Sequence, residues 1–134
     1  MDAVIDLDAC AMPCVHPEKV ALARARAPAD ADLHSLSAMF KLVGDPTRTR
    51  LLYALLEVGE LCVCDLAAAT GTAESTVSQA LRLLRTAGVV AARRQGRLVF
   101  YRLADAHVRM LLDLSREHAR HEPAAAGPAK ATPS

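Results

Sequence analysis

Hydrophobic and polar positions recur along this chain with two periods, and the switch between them outlines the fold. From Asp30 to Val43, Leu33, Leu36, Phe40 and Val43 return every three or four residues, the repeat of one helix face. Gly44 ends that pattern, and Asp45-Pro46 opens the next as cap and first helical residue. Leu51, Leu52, Leu55 and Leu56 mark a second helix that runs to about Gly59. A short helix is expected over 63–70, then a tight turn at Thr70-Gly71-Thr72. Thr72 is expected to cap a longer helix over 73–87, in which Glu74 suits the first turn and Val77, Leu81 and Leu84 form one buried stripe. After Gly88 the pattern changes to that of strands. Residues 89–94 and 97–103 read as a pair around the two-residue hairpin signal Gln95-Gly96. Residues 105–120 form the last helix, which Pro123 stops.

The ends read differently. Residues 1–29 form an arm interrupted by Pro13, Pro17 and Pro28, with a short helix expected over 18–27. Residues 123–134 are rich in Ala, Pro and Gly and are expected to be disordered. Between them, 30–122 is one domain. About half of the 134 residues are hydrophobic and there is no Trp, so the core is built from Leu, Val and Ala, which suits helices. The fold class is mainly α with a small β-hairpin. No run approaches the roughly 18 apolar residues of a membrane span, and the acidic start does not resemble a secretion signal. The expectation is a cytoplasmic protein without a membrane partner. Its four cysteines are reduced there and more suited to metal or redox chemistry than to structural disulfides.

The net charge of +1 is uninformative, but its distribution is not. Between Glu74 and Asp105 there is no acid, while Arg82, Arg85, Arg93, Arg94, Arg97 and Arg102 all fall there. Such a cluster makes an anion-binding face. A short helix, a glycine turn, a longer helix and an arginine-rich hairpin follow the order of a winged helix-turn-helix. The second helix of such a unit enters the major groove and reads bases with its N-terminal half. Ser75, Thr76, Ser78 and Gln79 occupy that half, with Arg82 and Arg85 placed for phosphates and Arg94 and Arg97 flanking the hairpin tip. One such helix reads only a few base pairs, so a homodimer on a palindromic site of double-stranded DNA is expected.

Two sets of metal-binding residue types flank this unit. Cys62 and Cys64 stand at the start of the short helix, and Cys10 and Cys14 lie four apart in the arm. Four thiolates favour soft or borderline ions: Cd(II), Pb(II), Zn(II), Cu(I) or trivalent arsenic. The spacing does not match a zinc finger. Asp105, His107, His118 and His121 supply one oxygen and three nitrogens, a set that suits Zn(II). One helix cannot assemble it, because eleven residues span roughly 16 Å. Two antiparallel copies of the helix can, with Asp105 and His107 of one facing His118 and His121 of the other. No catalytic constellation is present, so neither an enzyme, a small-molecule substrate nor an organic cofactor is expected. The rival classes are a thiol redox switch, which would use the same cysteines without metal, and a metal buffer that does not bind DNA.

Together these residues resemble the ArsR/SmtB family of bacterial metal-sensing repressors, from about Ser35 to Glu122. The likeness rests on Asp45-Pro-Thr-Arg48, Glu60-Leu-Cys-Val-Cys-Asp-Leu66, Ser75-Thr-Val-Ser-Gln-Ala-Leu81 with Leu84-Arg85, Gly88-Val89-Val90 and Tyr101. The cysteine layout is most similar to the cadmium/lead sensors of that family. The resemblance implies that Cys10 and Cys14 of one subunit join Cys62 and Cys64 of the other, and that Asp105, His107, His118 and His121 form an interfacial zinc site. It also implies that the metal-free dimer binds its operator and that metal releases it, so that metal-resistance genes are expressed. Arsenic sensors of the family often carry a third cysteine after the pair; here Asp65, Leu66, Ala67 and Ala68 follow, so an arsenite or antimonite site would have to borrow from the arm.

Overall fold

The computed structural model describes residues 15–121. Cys10 and Cys14, and the expected tail, lie outside them. The elements run α1 (Pro17–Arg26), α2 (Asp30–Val43), α3 (Pro46–Val58), β1 (Glu60–Cys62), α4 (Val63–Thr70), α5 (Glu74–Thr86), β2 (Val90–Gln95), β3 (Leu98–Leu103) and α6 (Ala106–Arg120). They divide into two compact units inside α2, between Ser37 and Ala38. In the first unit, α1 starts with Pro17 and Glu18 and ends with Arg24 and Arg26, charges that suit the helix dipole. It buries no residue. Leu33 and Leu36, at helical spacing on α2, stand exposed.

The second unit holds the core. Asp45 caps α3 by accepting a hydrogen bond from the Arg48 amide at 3.1 Å, and Pro46 takes the first helical position, where its missing N–H costs nothing. Arg48 Nε donates to the Leu42 carbonyl at 2.8 Å, and the Thr49 hydroxyl donates to the Val43 carbonyl. These bonds satisfy carbonyls that the end of α2 leaves without helical partners. Leu51, Leu52 and Leu55 of α3, Leu66 of α4, and Val77, Leu81 and Leu84 of α5 are fully buried together. Val89, Val90, Leu103 and Leu112 close the cluster.

The three strands are antiparallel in the order β1-β3-β2. Strand β1 is not among the elements the pattern predicts. Three residues are too few to display a period, and pairing with β3, with Cys62 opposite Phe100, is what makes them a strand. Two local expectations are corrected. Thr72 does not cap α5: the cap position is Ala73, without a side-chain bond, while Thr72 Oγ1 lies 3.1 Å from Thr70 Oγ1. Thr70 and Thr72 are two apart across the turn, so their hydroxyls meet each other instead of a helix amide. The hairpin loop is Gly96-Arg97, because Gln95 pairs with Leu98. Gly96 has φ +63 at the first loop position, as a type II′ turn requires, and that moves the turn one residue along. Gly71, at φ +65, likewise lets the chain reverse between α4 and α5.

Candidate metal centre and nucleic-acid interface

The junction between β1 and α4 builds the thiol pair. Cys62 is the last residue of β1 and the N-cap of α4; Cys64 lies in the first turn of that helix. Strand pairing and the core beneath leave Cys62 only 5% exposed, while Cys64 is exposed. The two Sγ atoms are 3.4 Å apart. Tetrahedral coordination with zinc–sulfur bonds of about 2.3 Å needs sulfurs about 3.8 Å apart, so a small adjustment suffices. Asp65 adds an oxygen, and the three donor atoms lie within 4.8 Å of one another. Among the described residues this is the one group of three or more Cys, His, Asp or Glu so arranged. The thiol pair fits a soft or borderline ion, and Asp65 was not anticipated as a neighbour of it. Its position three residues after Cys62, in the first turn of a helix, is the signal that would have found it.

The contact with Cys62 is the largest cause that pushes the Cys64 thiol above its usual pKa, followed by the charge of Cys62, burial, and the carboxylates of Asp65 and Glu74. Without metal, Cys64 therefore holds its proton, and an incoming cation must displace it. A hollow of about 270 Å³ opens beside the pair, walled by Glu74 of α5 and by Arg97, Leu98 and Val99 of the hairpin.

The second predicted set lies on α6, which is continuous from Ala106 to Arg120. A straight helix keeps His107 and His118 roughly 16 Å apart, so a single chain does not bring the set together. Asp105 already serves the helix itself, since its Oδ1 accepts from the Val108 amide at 3.0 Å as N-cap of α6. His107 Nδ1 is 3.9 Å from the same oxygen, and His107, His118 and His121 are exposed.

On α5, Val77, Ala80, Leu81 and Leu84 turn inward. Ser75, Thr76, Gln79, Arg82 and Arg85 are exposed on the other side, and Ser78 is half-buried. Thr76 and Gln79 line a hollow of about 310 Å³ with Asp45, Thr47 and Arg48. Arg85, Arg93 and Arg94 line another of about 160 Å³, and Arg94 and Arg97 are exposed on the hairpin. The arginine cluster is smaller in effect than its count suggests. Arg93 is bound by both carboxylate oxygens of Glu60, each at 2.8 Å, and lies 4.8 Å from the Phe100 ring centre. Arg93 holds the Glu60 carboxyl below its usual pKa, with Arg102 adding to the effect. The pair spans the sheet from β1 to β2. The sequence pattern does not reveal it, because the partners are 33 residues apart and β1 has no period of its own. No helix among the described residues is long and apolar enough to cross a membrane.

Residues 45–92 match the model of the bacterial regulatory protein arsR family. The chain is 42% identical to a transcriptional repressor SmtB homolog from Synechocystis sp., over 87% of this chain and 85% of that protein. It is 37% identical to a cadmium resistance transcriptional regulatory protein CadC homolog from Staphylococcus aureus, over 84% and 93% respectively. Among solved structures, it resembles the AntR antimony-specific transcriptional repressor with a TM-score of 0.64 and 33% identity, covering 85% of this chain and all of that one.

Proposed function

The chain belongs to the ArsR family of bacterial regulatory proteins, and from that premise we propose that it is a metal-responsive transcriptional repressor. Members of this family are winged helix-turn-helix DNA-binding regulators, and the chain is not an enzyme. In the proposed cycle a metal-free homodimer occupies a palindromic operator in the cytoplasm. Cd(II) or Pb(II), with Zn(II) as a borderline case, releases it and metal-resistance genes are expressed.

The observation that carries this reading is the Cys62–Cys64 pair, two soft donors 3.4 Å apart at the foot of the helix preceding α5. Two sulfurs do not complete a coordination shell, and Cys10 and Cys14 of the partner subunit supply the rest. Asp105 and His107 with the partner's His118 and His121 form a second, Zn(II)-binding site across the paired α6 helices. Exposed Met110 and Leu114 on α6, and exposed Phe40 on α2, support a second copy of the chain as the cover for these faces. On DNA, Ser75, Thr76, Ser78 and Gln79 read bases, and Arg82, Arg85, Arg94 and Arg97 hold phosphates. Linkage supplies the logic: if DNA and metal oppose each other, each weakens the other by the same factor.

Anisotropy of labelled operator DNA, under reducing and anaerobic conditions, tests the proposal with Cd(II), Pb(II), Zn(II) and arsenite in parallel. Cys64→Ser is the informative variant, because Cys64 is exposed whereas a hydroxyl at buried Cys62 would disturb the core. It is expected to bind operator as the parent does and to lose release by Cd(II). A normal Cd(II) response in that variant would sink the assignment. Release by arsenite alone would instead favour the second reading, supported by the likeness to the antimony-specific repressor. Release by peroxide in metal-free buffer would favour a thiol redox switch.

A further inference from the structure

The hollow beside the thiol pair is shared by three elements. Cys62, Val63 and Cys64 form its floor at the start of α4; Glu74 comes from the first turn of α5; Arg97, Leu98 and Val99 come from the hairpin. A ligand of the thiols would lie beside the first turn of α5 and the hairpin turn. Arg97 holds the second loop position of the turn and is exposed. Among the described residues the ion pairs are Glu60–Arg93, Asp105–His107 and Glu57–Arg116, and Arg97 takes part in none of them. The other arginines of the hairpin differ. Arg93 is held by Glu60, and Arg94 lines a separate hollow with Arg85.

We propose that Arg97 is the residue that carries metal occupancy at Cys62 and Cys64 to the DNA, by exchanging a DNA phosphate for the anionic metal–thiolate centre. The proposal rests on the metal-site reading above. A divalent ion held by the thiolates of Cys62 and Cys64 and the carboxylate of Asp65 has a formal charge of 2 − 3 = −1. Arg97 lies on the wall of the hollow in which that charge is created, and a guanidinium donates to only a limited number of anions at once. When the centre forms, Arg97 gains an anionic partner in the hollow that it lines, and near a protein surface that attraction exceeds its value in bulk water. The phosphate contact is weakened in proportion. Glu74 lines the same hollow and is common to both states, so it does not distinguish them. By reciprocity, DNA that keeps Arg97 on its backbone weakens metal binding by the same factor.

The test compares Arg97→Gln, Arg97→Lys and Arg94→Gln in the full chain. Operator affinity is measured by anisotropy with and without Cd(II), and thiolate-to-Cd(II) charge-transfer absorption reports loading independently of DNA. Arg97→Gln is expected to load Cd(II) fully, to bind DNA more weakly when metal-free, and to show a release factor several-fold smaller than the parent. Arg97→Lys keeps the charge and is expected to recover most of that factor. Arg94→Gln is expected to weaken DNA binding in both states and leave the factor unchanged. An Arg97→Gln protein that loads Cd(II) and keeps the full release factor overturns this inference alone. A parent protein that shows no thiolate–Cd(II) absorption overturns both this inference and the metal-site reading.

Discussion

Leu112→Ala probes how α6, the helix carrying Asp105, His107, His118 and His121, is held to the rest of its unit. Among the described residues of α6, Leu112 is the one buried side chain, 3% exposed, with Val108 half-buried. The other attachment is polar: Tyr53 Oη of α3 donates to the Leu112 carbonyl at 2.7 Å, and Arg116 lies 5.1 Å from the Tyr53 ring centre. Truncating a buried leucine to alanine costs about 2–5 kcal/mol, less where the site can collapse. Leu112 sits at the edge of the cluster on a single docked helix, so the lower part of that range, about 2–3 kcal/mol, is expected. Tyr53→Phe removes one hydrogen bond but keeps the ring. The Leu112 carbonyl retains its helical partner, so the loss is about 0.5–1.5 kcal/mol. The two substitutions act on the same seam, and their effects are expected not to add.

Urea denaturation followed by far-ultraviolet circular dichroism measures these losses, since the chain has no Trp. It should be repeated at several protein concentrations, because dimer formation adds its own stability. A loss below about 0.5 kcal/mol for Leu112→Ala at every concentration would refute the account of how α6 is docked.

Glu60→Gln removes the charged partner of Arg93. The folded-state pKa of Glu60 is lowered, so its contribution is present above the usual glutamate range and is lost as pH falls through the lowered value. Parent and variant are expected to differ in melting temperature at pH 7 and to draw together as the pH is lowered; a difference that does not narrow with acidification would contradict the assignment. Asp105→Ala and Asp105→Ser separate the two roles of that residue. Alanine removes the α6 cap, at about 1 kcal/mol, whereas serine restores a cap without a carboxylate. Thermal melts are expected to show loss only for alanine, and Zn(II) titrations loss for both; unchanged Zn(II) binding in both variants would remove Asp105 from the metal set.

Elements whose signals are local were legible in the amino-acid order. Apolar spacing marks α2, α3 and α5; Asp45-Pro46 marks the start of α3; Pro123 marks the stop after α6; the order of elements with the arginine cluster marks the winged unit. These follow from the helical period and from capping, which act over a few residues and so appear in any short window. Cys62 and Cys64 were legible for the same reason, two residues apart on one turn. Whatever depends on residues far apart in the chain waited for the folded molecule. Pairing with β3 makes Glu60–Cys62 a strand, Glu60 takes up Arg93, and Glu74 and Arg97 line one hollow with the thiol pair. The hairpin turn also shifts by one residue, because strand register and the positive φ of Gly96 are settled together across the ladder. Contacts of this kind have no period along the chain and arise only when the core closes and fixes which surfaces meet.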